Sequence, residues 1–395
     1  MKHIAIGQAG GPTAVLNATL AGFVRALNQK CSLTFIMNGY EGLVKEYFLH
    51  ADDDVISRVI AHEKVPGAAL GAGRYPLSEE QMVQSVRTLR KFQIDTLVFI
   101  GGNGTMEALA KIKAEADRQS YPLQTLGLPK TVDNDLGGTD HSPGFGSAAK
   151  YVAQVTRDMG RDILAMNNFE QVRILETMGR NAGWLAAASG LLKEHAEDGP
   201  HFIGLPEKPL NPDFLFNQIS ESVKCYGAAL IVVSEGVRWE KGNRVIRDQV
   251  NGRPILGGIS QAIEQTIRDN MGVMVRSELL GMNQRSCAAA VSPTDFHEAV
   301  QVGKVGARWL FDGASDVMVA LQRAGGPDYA IDFSPVSSQT VVQKGERQLP
   351  DKFLNDLNAY NEWLRPLVGE RLPVYPPPLQ GRQNNGHIRI GSQQK

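Results

Sequence analysis

At 395 residues the chain is longer than one hydrophobic core usually fills, roughly 250–300 residues, so two domains are expected. A formal charge of −1 argues against a nucleic-acid or membrane-surface partner, either of which would want a basic stripe, but it permits a basic pocket for anionic substrates. Three scattered cysteines, Cys31, Cys225 and Cys287, form no CxxC pair, so neither a zinc site nor a disulfide framework is signalled and a reducing compartment fits. The start, MKHIAIGQAGG, reads as a strand rather than a signal peptide, and the apolar runs are too short for a bilayer. The expectation is a cytoplasmic protein.

In chain order, His3–Gly7 reads as a strand, followed by a glycine turn and a helix from about Pro12 to Asn28. Ser32–Met37 is a second strand. Asp95–Ile100 is a third, followed by Gly101-Gly102-Asn103-Gly104-Thr105 and a helix near Met106–Arg118. Leu123–Leu128, Val172–Glu176 and Ala228–Ser234 are later strands, and a helix is expected over Asn181–Leu192. This alternation predicts an α/β fold with mainly parallel sheets and helices on both faces. Ligands then bind beyond the C-terminal ends of the strands. The segment Pro373–Lys395, rich in Pro, Gln and Asn, reads as an extended, partly disordered tail. No repeat of 20–50 residues is evident.

Three turns at strand ends carry the chemistry. Gly7–Thr13 offers backbone N–H groups and a helix start to an anion, although an ordinary βα turn has the same look. Gly101–Thr105 repeats the arrangement, and its glycines allow close approach to phosphate. Pro129–Asp135 (PKTVDND) sets Lys130 just upstream of Asp133 and Asp135. Two carboxylates so close call for a cation, a donor or a proton between them, unless the turn is merely solvated. Lys130 can neutralise transferred phosphate charge, and an Asp can take a hydroxyl proton. No Walker A motif occurs, and no GxGxxG follows a strand, which disfavours a dinucleotide-dependent oxidoreductase.

PKTVDND with TDHSPGFGSAAKY, GGNGT, MGRNAGW (Met178–Trp184), SEG (Ser234–Gly236) and VRSELLGMNQR (Val275–Arg285) together resemble the phosphofructokinase family, in family order over about residues 1–325. Within it the chain looks most like the bacterial pyrophosphate-using branch of about this length. The resemblance implies two similar Rossmann-like domains with the active site in the cleft between them. The donor domain would hold residues 1–146 and about 285–325. The acceptor domain would hold 147–284 and about 326–372, leaving 373–395 as the tail. It implies phosphoryl transfer from ATP or pyrophosphate to the 1-hydroxyl of fructose 6-phosphate, with Mg2+ as cofactor, in a homodimer or homotetramer.

The same resemblance assigns Asp133 as base, with Lys130 and Arg180 as catalytic cations. Gly11, Arg74, Gly102, Gly104 and Thr105 would meet the donor, and Asn103 the metal. Thr131, Asp135, Met178, Gly179, Glu235, Arg276 and Arg285 would meet the acceptor, Arg276 matching an arginine that the short ATP-using members supply across a subunit interface. Four departures stand out. Asn103 replaces the Asp usual in ATP-using members. Gly104 lacks the carboxylate with which pyrophosphate users repel a nucleotide α-phosphate, so Gly104 with Lys130 points to ATP while overall similarity points to pyrophosphate. Gln171 and Met282 stand where the short ATP enzymes carry a phosphate-binding Arg and His. A related ketose, phosphorylated or not, is therefore the alternative acceptor, and a catalytically weak sugar-phosphate-binding paralogue the second alternative. Of the other residues, His141 is expected to hydrogen-bond backbone, Trp184 to lie in the core and Cys287 to be inert.

Overall fold

The computed structural model describes residues 2–27, 31–250, 253–326, 328–369 and 372–379. The strands, in chain order, are β1 (Lys2–Gln8), β2 (Cys31–Ile36), β3 (Phe48–His50), β4 (Thr96–Gly101), β5 (Gln124–Pro129), β6 (Val172–Thr177), β7 (Phe202–Gly204), β8 (Ala229–Ser234), β9 (Ile246–Val250), β10 (Arg253–Leu256), β11 (Val275–Leu279), β12 (Val317–Arg323) and β13 (Ile331–Ser337). They form two main sheets, mostly parallel, with helices packed around them. The chain divides into two compact units, residues 1–151 with 282–370 and residues 152–281 with 371–395.

The first unit holds a seven-stranded sheet in the order β13-β12-β5-β4-β1-β2-β3. Its five central strands run parallel, and only β3 and β13 at the edges are antiparallel. Burial on both faces explains the unbroken apolar sequence of β4, TLVFIG, in which every residue is buried. Helix Leu16–Ala26 crosses helix Pro293–Phe311 at very close range. A Cβ on Gly22 would lie 2.3 Å from the Val300 carbonyl oxygen, and one on Gly303 would lie 2.2 Å from that of Thr19. Glycine at both positions lets the two backbones touch, and this crossing covers one face of the sheet through Phe23, Val302 and Leu310. On the other face Tyr40 stacks on Phe99 with ring centroids 4.0 Å apart. Each such fully buried side chain contributes roughly 1.5–3 kcal/mol of transfer free energy.

Residues beyond Gly325 are more regular than their composition suggests. β13 pairs with β12 along its whole length, and three helices follow, Ser338–Lys344, Asp351–Asn355 and Leu357–Val368. They group with the first unit rather than with residues 152–281. Of the segment read as a tail, 380–395 lies outside the described residues.

The second unit holds an all-parallel sheet, β11-β6-β8-β7, and a β9–β10 hairpin. Residues 372–379 lie against it. The Arg157 guanidinium sits 3.7 Å from the centre of the Tyr375 ring, and the Tyr375 hydroxyl donates to Asp158 over 2.9 Å. Among the described residues no helix is long and apolar enough to cross a membrane.

Candidate active site

The three turns of the first unit meet at one end of its sheet. β1, β4 and β5 are parallel neighbours, so their C-terminal ends lie side by side. After β1 the chain does not enter a helix at Pro12 as expected. Gly10 takes a positive φ of 81° and donates its N–H to the Gly73 carbonyl, and Thr13 pairs with Gly67, so the helix waits until Leu16. The loop between stays open and brings residues 73 and 74 against the turn.

After β4 the helix Asn103–Arg118 begins at once. Its first turn has neither a side-chain cap nor an acidic residue. Its leading N–H groups and the positive end of its dipole therefore remain available to an anion. Gly101 is required there, because a Cβ would lie 2.2 Å from Thr105 Oγ1. Gly104 faces open space, with nothing within 4 Å of where a Cβ would be.

After β5, Lys130 is 4% exposed and its Nζ donates to the Gly11 carbonyl over 2.6 Å. Burial pulls its pKa down to about 8, with Arg285 and Arg74 adding to that pull and the carboxylates of Asp133 and Asp135 opposing it. These five charged groups share one electrostatic neighbourhood. Burial also lowers the Arg285 pKa, helped by Arg74 and opposed by Asp133. A Cβ on Gly11 would lie 2.6 Å from Arg285 Nη1. Arg285, expected on the acceptor side, thus lies directly over the turn after β1.

The carboxylates are held by their own loop. The Thr131 hydroxyl donates to Asp135 Oδ1 over 3.1 Å and accepts from the Asp133 N–H over 3.1 Å. Burial raises the Asp135 pKa and Glu346 adds to that, opposed by the Thr131 hydrogen bond. Asn103 Nδ2 donates to the Asp135 carbonyl over 3.0 Å, which leaves its Oδ1 as the end able to face a cation. No group of three or more His, Cys, Asp or Glu side chains able to hold a metal occurs among the described residues. Mg2+ does not need one, since it is commonly held by one or two carboxylates together with substrate phosphates. Asp133, Asp135 and the Asn103 oxygen fit that requirement.

In the second unit β6 and β8 end side by side, with Thr177 opposite Ser234. Met178–Arg180 and Ser234–Gly236 are stitched together there. Ser234 Oγ donates to the Gly179 carbonyl, as does the Gly236 N–H over 3.2 Å, and a Cβ on Gly236 would lie 1.8 Å from the Arg180 carbonyl oxygen. Glu235 sits between them, its N–H donating to Thr177 over 2.9 Å. Glu176, just before, is buried and accepts from the Gly258 and Ser260 N–H groups at the start of helix Ile259–Met271. Arg276 does not join this group within the chain. It pairs with Arg173 near the start of β6, four residues before Thr177, about 13 Å along the strand. There its side chain is 56% exposed, with Nε 3.6 Å from Glu170.

Several further side chains have clear places. Gln171 is occupied within the fold, donating from Nε2 to the Asn167 carbonyl over 2.9 Å and accepting from the Met274 N–H over 3.2 Å. Met282 is exposed. Trp184 is fully buried, as expected. His141 departs from expectation. It bonds not to backbone but to two carboxylates, Asp140 at 2.9 Å and Glu298 at 2.7 Å, which raise its pKa to about 9 against the opposing effect of burial. Glu298 lies 157 residues away, and no local pattern announces it.

The fold and these turns agree with comparison against known proteins. Residues 3–310 match the model of the family described as "Phosphofructokinase", and the chain belongs to that family. It is a phosphotransferase. It is 44% identical over 367 residues to the sulfofructose kinase of Alkalicoccus urumqiensis, covering 93% of this chain and 95% of that one. It is 32% identical over 363 residues to the pyrophosphate–fructose 6-phosphate 1-phosphotransferase of Xanthomonas campestris, covering 89% and 87%. The crystal structure of the pyrophosphate-dependent phosphofructokinase of Marinobacter aquaeolei superimposes with a TM-score of 0.82 at 29% identity, over 97% of this chain and 95% of that one. The expected likeness to the pyrophosphate-dependent branch is thus present in both sequence and structure.

Proposed function

We propose that the chain is a kinase for a fructose that carries a sulfonate in place of the 6-phosphate, transferring the γ-phosphoryl group of ATP to the sugar's 1-hydroxyl. The observation that carries this reading is the match to a sulfofructose kinase, 44% identical over nearly the full length of both chains. The site agrees with it. A phosphate monoester brings a charge of roughly −1.5 to −2 and wants several cations, whereas a sulfonate brings only −1. Positions 171 and 282 carry an engaged amide and an exposed thioether, and neither adds positive charge. Arg276 would then supply a cation to the sulfonate across a subunit interface in a homo-oligomer.

In this reading the first unit supplies the donor-binding residues and the second the acceptor-binding ones. The N–H groups of Gly102–Gly104, the Gly11 turn and Arg74 seat the phosphate chain. Thr105 closes the first turn of that helix. Asp133 takes the proton of the 1-hydroxyl. The freed oxygen forms a bond to the γ-phosphorus as the bond to the ADP oxygen breaks. Lys130 and Arg180 balance the charge on the transferring group. Asp133, Asp135 and Asn103, with the donor phosphates, would hold Mg2+, which would supply further charge neutralisation. Thr131 and Asp135 keep the base in place, while Met178, Gly179 and Glu235 hold the sugar.

Gly104 favours ATP over pyrophosphate, because it leaves room and adds no charge where a nucleotide's α-phosphate would lie. The second reading, fructose 6-phosphate as acceptor, is favoured by the likeness to the pyrophosphate-dependent enzymes. A weak regulatory paralogue is disfavoured by the intact grouping of Lys130, Asp133, Asp135 and the arginines. Turnover of purified protein with ATP or pyrophosphate, with Mg2+ present, tests the donor. ATP is expected to support turnover, and turnover with pyrophosphate alone would overturn that part of the reading.

A further inference from the structure

The loop after β5 turns on one residue between its two carboxylates. Asp133 and Asp135 are each tied down. The Asp133 N–H donates to Thr131 Oγ1, and that hydroxyl donates to Asp135 Oδ1, both over 3.1 Å. The Asp135 carbonyl accepts from Asn103 Nδ2 over 3.0 Å and from the Arg347 N–H over 2.7 Å. Asn134 joins these two anchored residues, and its φ is 53°, in the left-handed region. Residues 131 and 135 lie outside any helix, so a side-chain bond between them needs the chain to double back. A residue with positive φ supplies such a reversal.

Left-handed backbone is uncommon for a residue that carries a Cβ. Glu46, Gln93 and Ser120 also adopt it, but each stands at or just after the end of a helix, where it is an ordinary way to stop. Asn134 ends no helix. Glycine, and to a lesser degree asparagine, takes up this conformation readily, while most other L-residues populate it about five- to thirtyfold less.

The Asn134 side chain offers no other reason for asparagine. The residue is 1% exposed, so its amide does not face a substrate. Neither Oδ1 nor Nδ2 has a hydrogen-bond partner among the described residues. A buried amide without partners is a cost, not a gain. What asparagine contributes here is its backbone.

We infer that Asn134 is a positioning residue for the phosphoryl transfer. Its left-handed backbone sets the angle and spacing between Asp133 and Asp135, and an ordinary residue at 134 misplaces the base. This assignment rests on Asp133 as the proposed base, and adds that the base is aimed by the conformation of its neighbour.

Packing and backbone make opposite predictions for two truncations. Alanine keeps the Cβ and leaves the smaller gap, so packing alone ranks Asn134→Ala above Asn134→Gly. Glycine keeps free access to left-handed backbone, so positioning ranks Asn134→Gly above Asn134→Ala. Steady-state kinetics on the full chain, with the donor and acceptor that wild type turns over best, decide between them. Thermal melts establish that each variant is folded at the assay temperature. Asn134→Gly should keep kcat within about threefold. Asn134→Ala should lower kcat about five- to thirtyfold while each KM stays within about twofold, because the loss falls on alignment rather than on binding. Asn134→Ser, polar but without asparagine's ease in the left-handed region, should follow Asn134→Ala, and decides the matter if the alanine variant does not fold. Asp133→Asn is measured alongside. If it keeps most of its turnover, the assignment of the base falls and the role of Asn134 with it. If it is inactive, the role of Asn134 alone is overturned by any of three results: kcat within twofold of wild type in Asn134→Ala and Asn134→Ser, a loss in Asn134→Gly as large as in Asn134→Ala, or a loss confined to KM.

Discussion

Gly104→Asp separates the donor reading from any effect on folding. Gly104 is the second residue of helix Asn103–Arg118, its φ lies outside the left-handed region, and a Cβ there meets nothing within 4 Å. Replacing glycine by aspartate in a helix recovers only about 0.3 kcal/mol. A carboxylate in an uncapped first turn adds about 0.3–1 kcal/mol through the dipole. The variant should therefore melt at or above the wild-type temperature. Its effect on a nucleotide runs the other way. Two unit charges about 4 Å apart repel by roughly 1–4 kcal/mol at effective dielectrics between 80 and 20. That corresponds to about five- to a thousandfold in affinity. Initial-rate kinetics with Mg2+ and either ATP or pyrophosphate measure the outcome. The kcat/KM for ATP should fall by a factor in that range, while that for pyrophosphate falls far less. An ATP value within twofold of wild type, or an equal loss with both donors, would refute the reasoning.

Asp133→Asn should lower kcat by about 10²–10⁴-fold with only a modest change in acceptor KM, because the proton transfer is made in the transition state; steady-state kinetics check this, and retention of most turnover would remove Asp133 from the mechanism. Lys130 must be protonated to neutralise phosphate, and its pKa is held down to about 8, so the kcat/KM profile should fall as pH rises through about 8 and Lys130→Arg should carry that limb well upward. The stability contribution of the same lysine has the opposite sign. Its folded pKa lies below the unfolded value of 10.5, so the cost of burying its charge is relieved between about pH 8 and 10.5. His141 is raised to about 9 from 6.5, so its contribution is fully present below pH 6.5 and is lost as pH rises through about 9. Thermal melts should show wild type losing its advantage over His141→Gln across that window, and a difference independent of pH would contradict the double carboxylate contact.

The parts legible in the sequence are those whose signals are local. β4 and β8 are buried throughout and read as near-continuous apolar runs, and β1, β5 and β6 show shorter apolar cores flanked or broken by polar residues. The phosphate-type turns show themselves through glycine. Boundaries were harder wherever tertiary contacts compete with propensity. The helix after Gly11 starts at Leu16 because Gly73 and Gly67 hold the intervening loop, and neither is near in sequence. Asn181–Leu192 holds only a short α-helix, Trp184–Ala188, continued by a 3₁₀ turn, because Gly179 and Asn181–Gly183 are spent shaping the loop. β13 carries Pro335, which argues against a strand in general but is tolerated here at a sheet edge. The His141–Glu298 pair is assembled from segments more than 150 residues apart, so no spacing rule could reveal it.

The charge at the far end of the acceptor is what distinguishes the proposed substrate from fructose 6-phosphate, and one ratio measures it. With ATP, Mg2+ and purified protein, kcat/KM is determined for sulfofructose and for fructose 6-phosphate. A missing cationic partner for a phosphate costs about 1.5–3 kcal/mol, so the sulfonate should be preferred by at least about tenfold. A preference for fructose 6-phosphate would contradict the account and return the chain to the acceptor used by its pyrophosphate-dependent relatives.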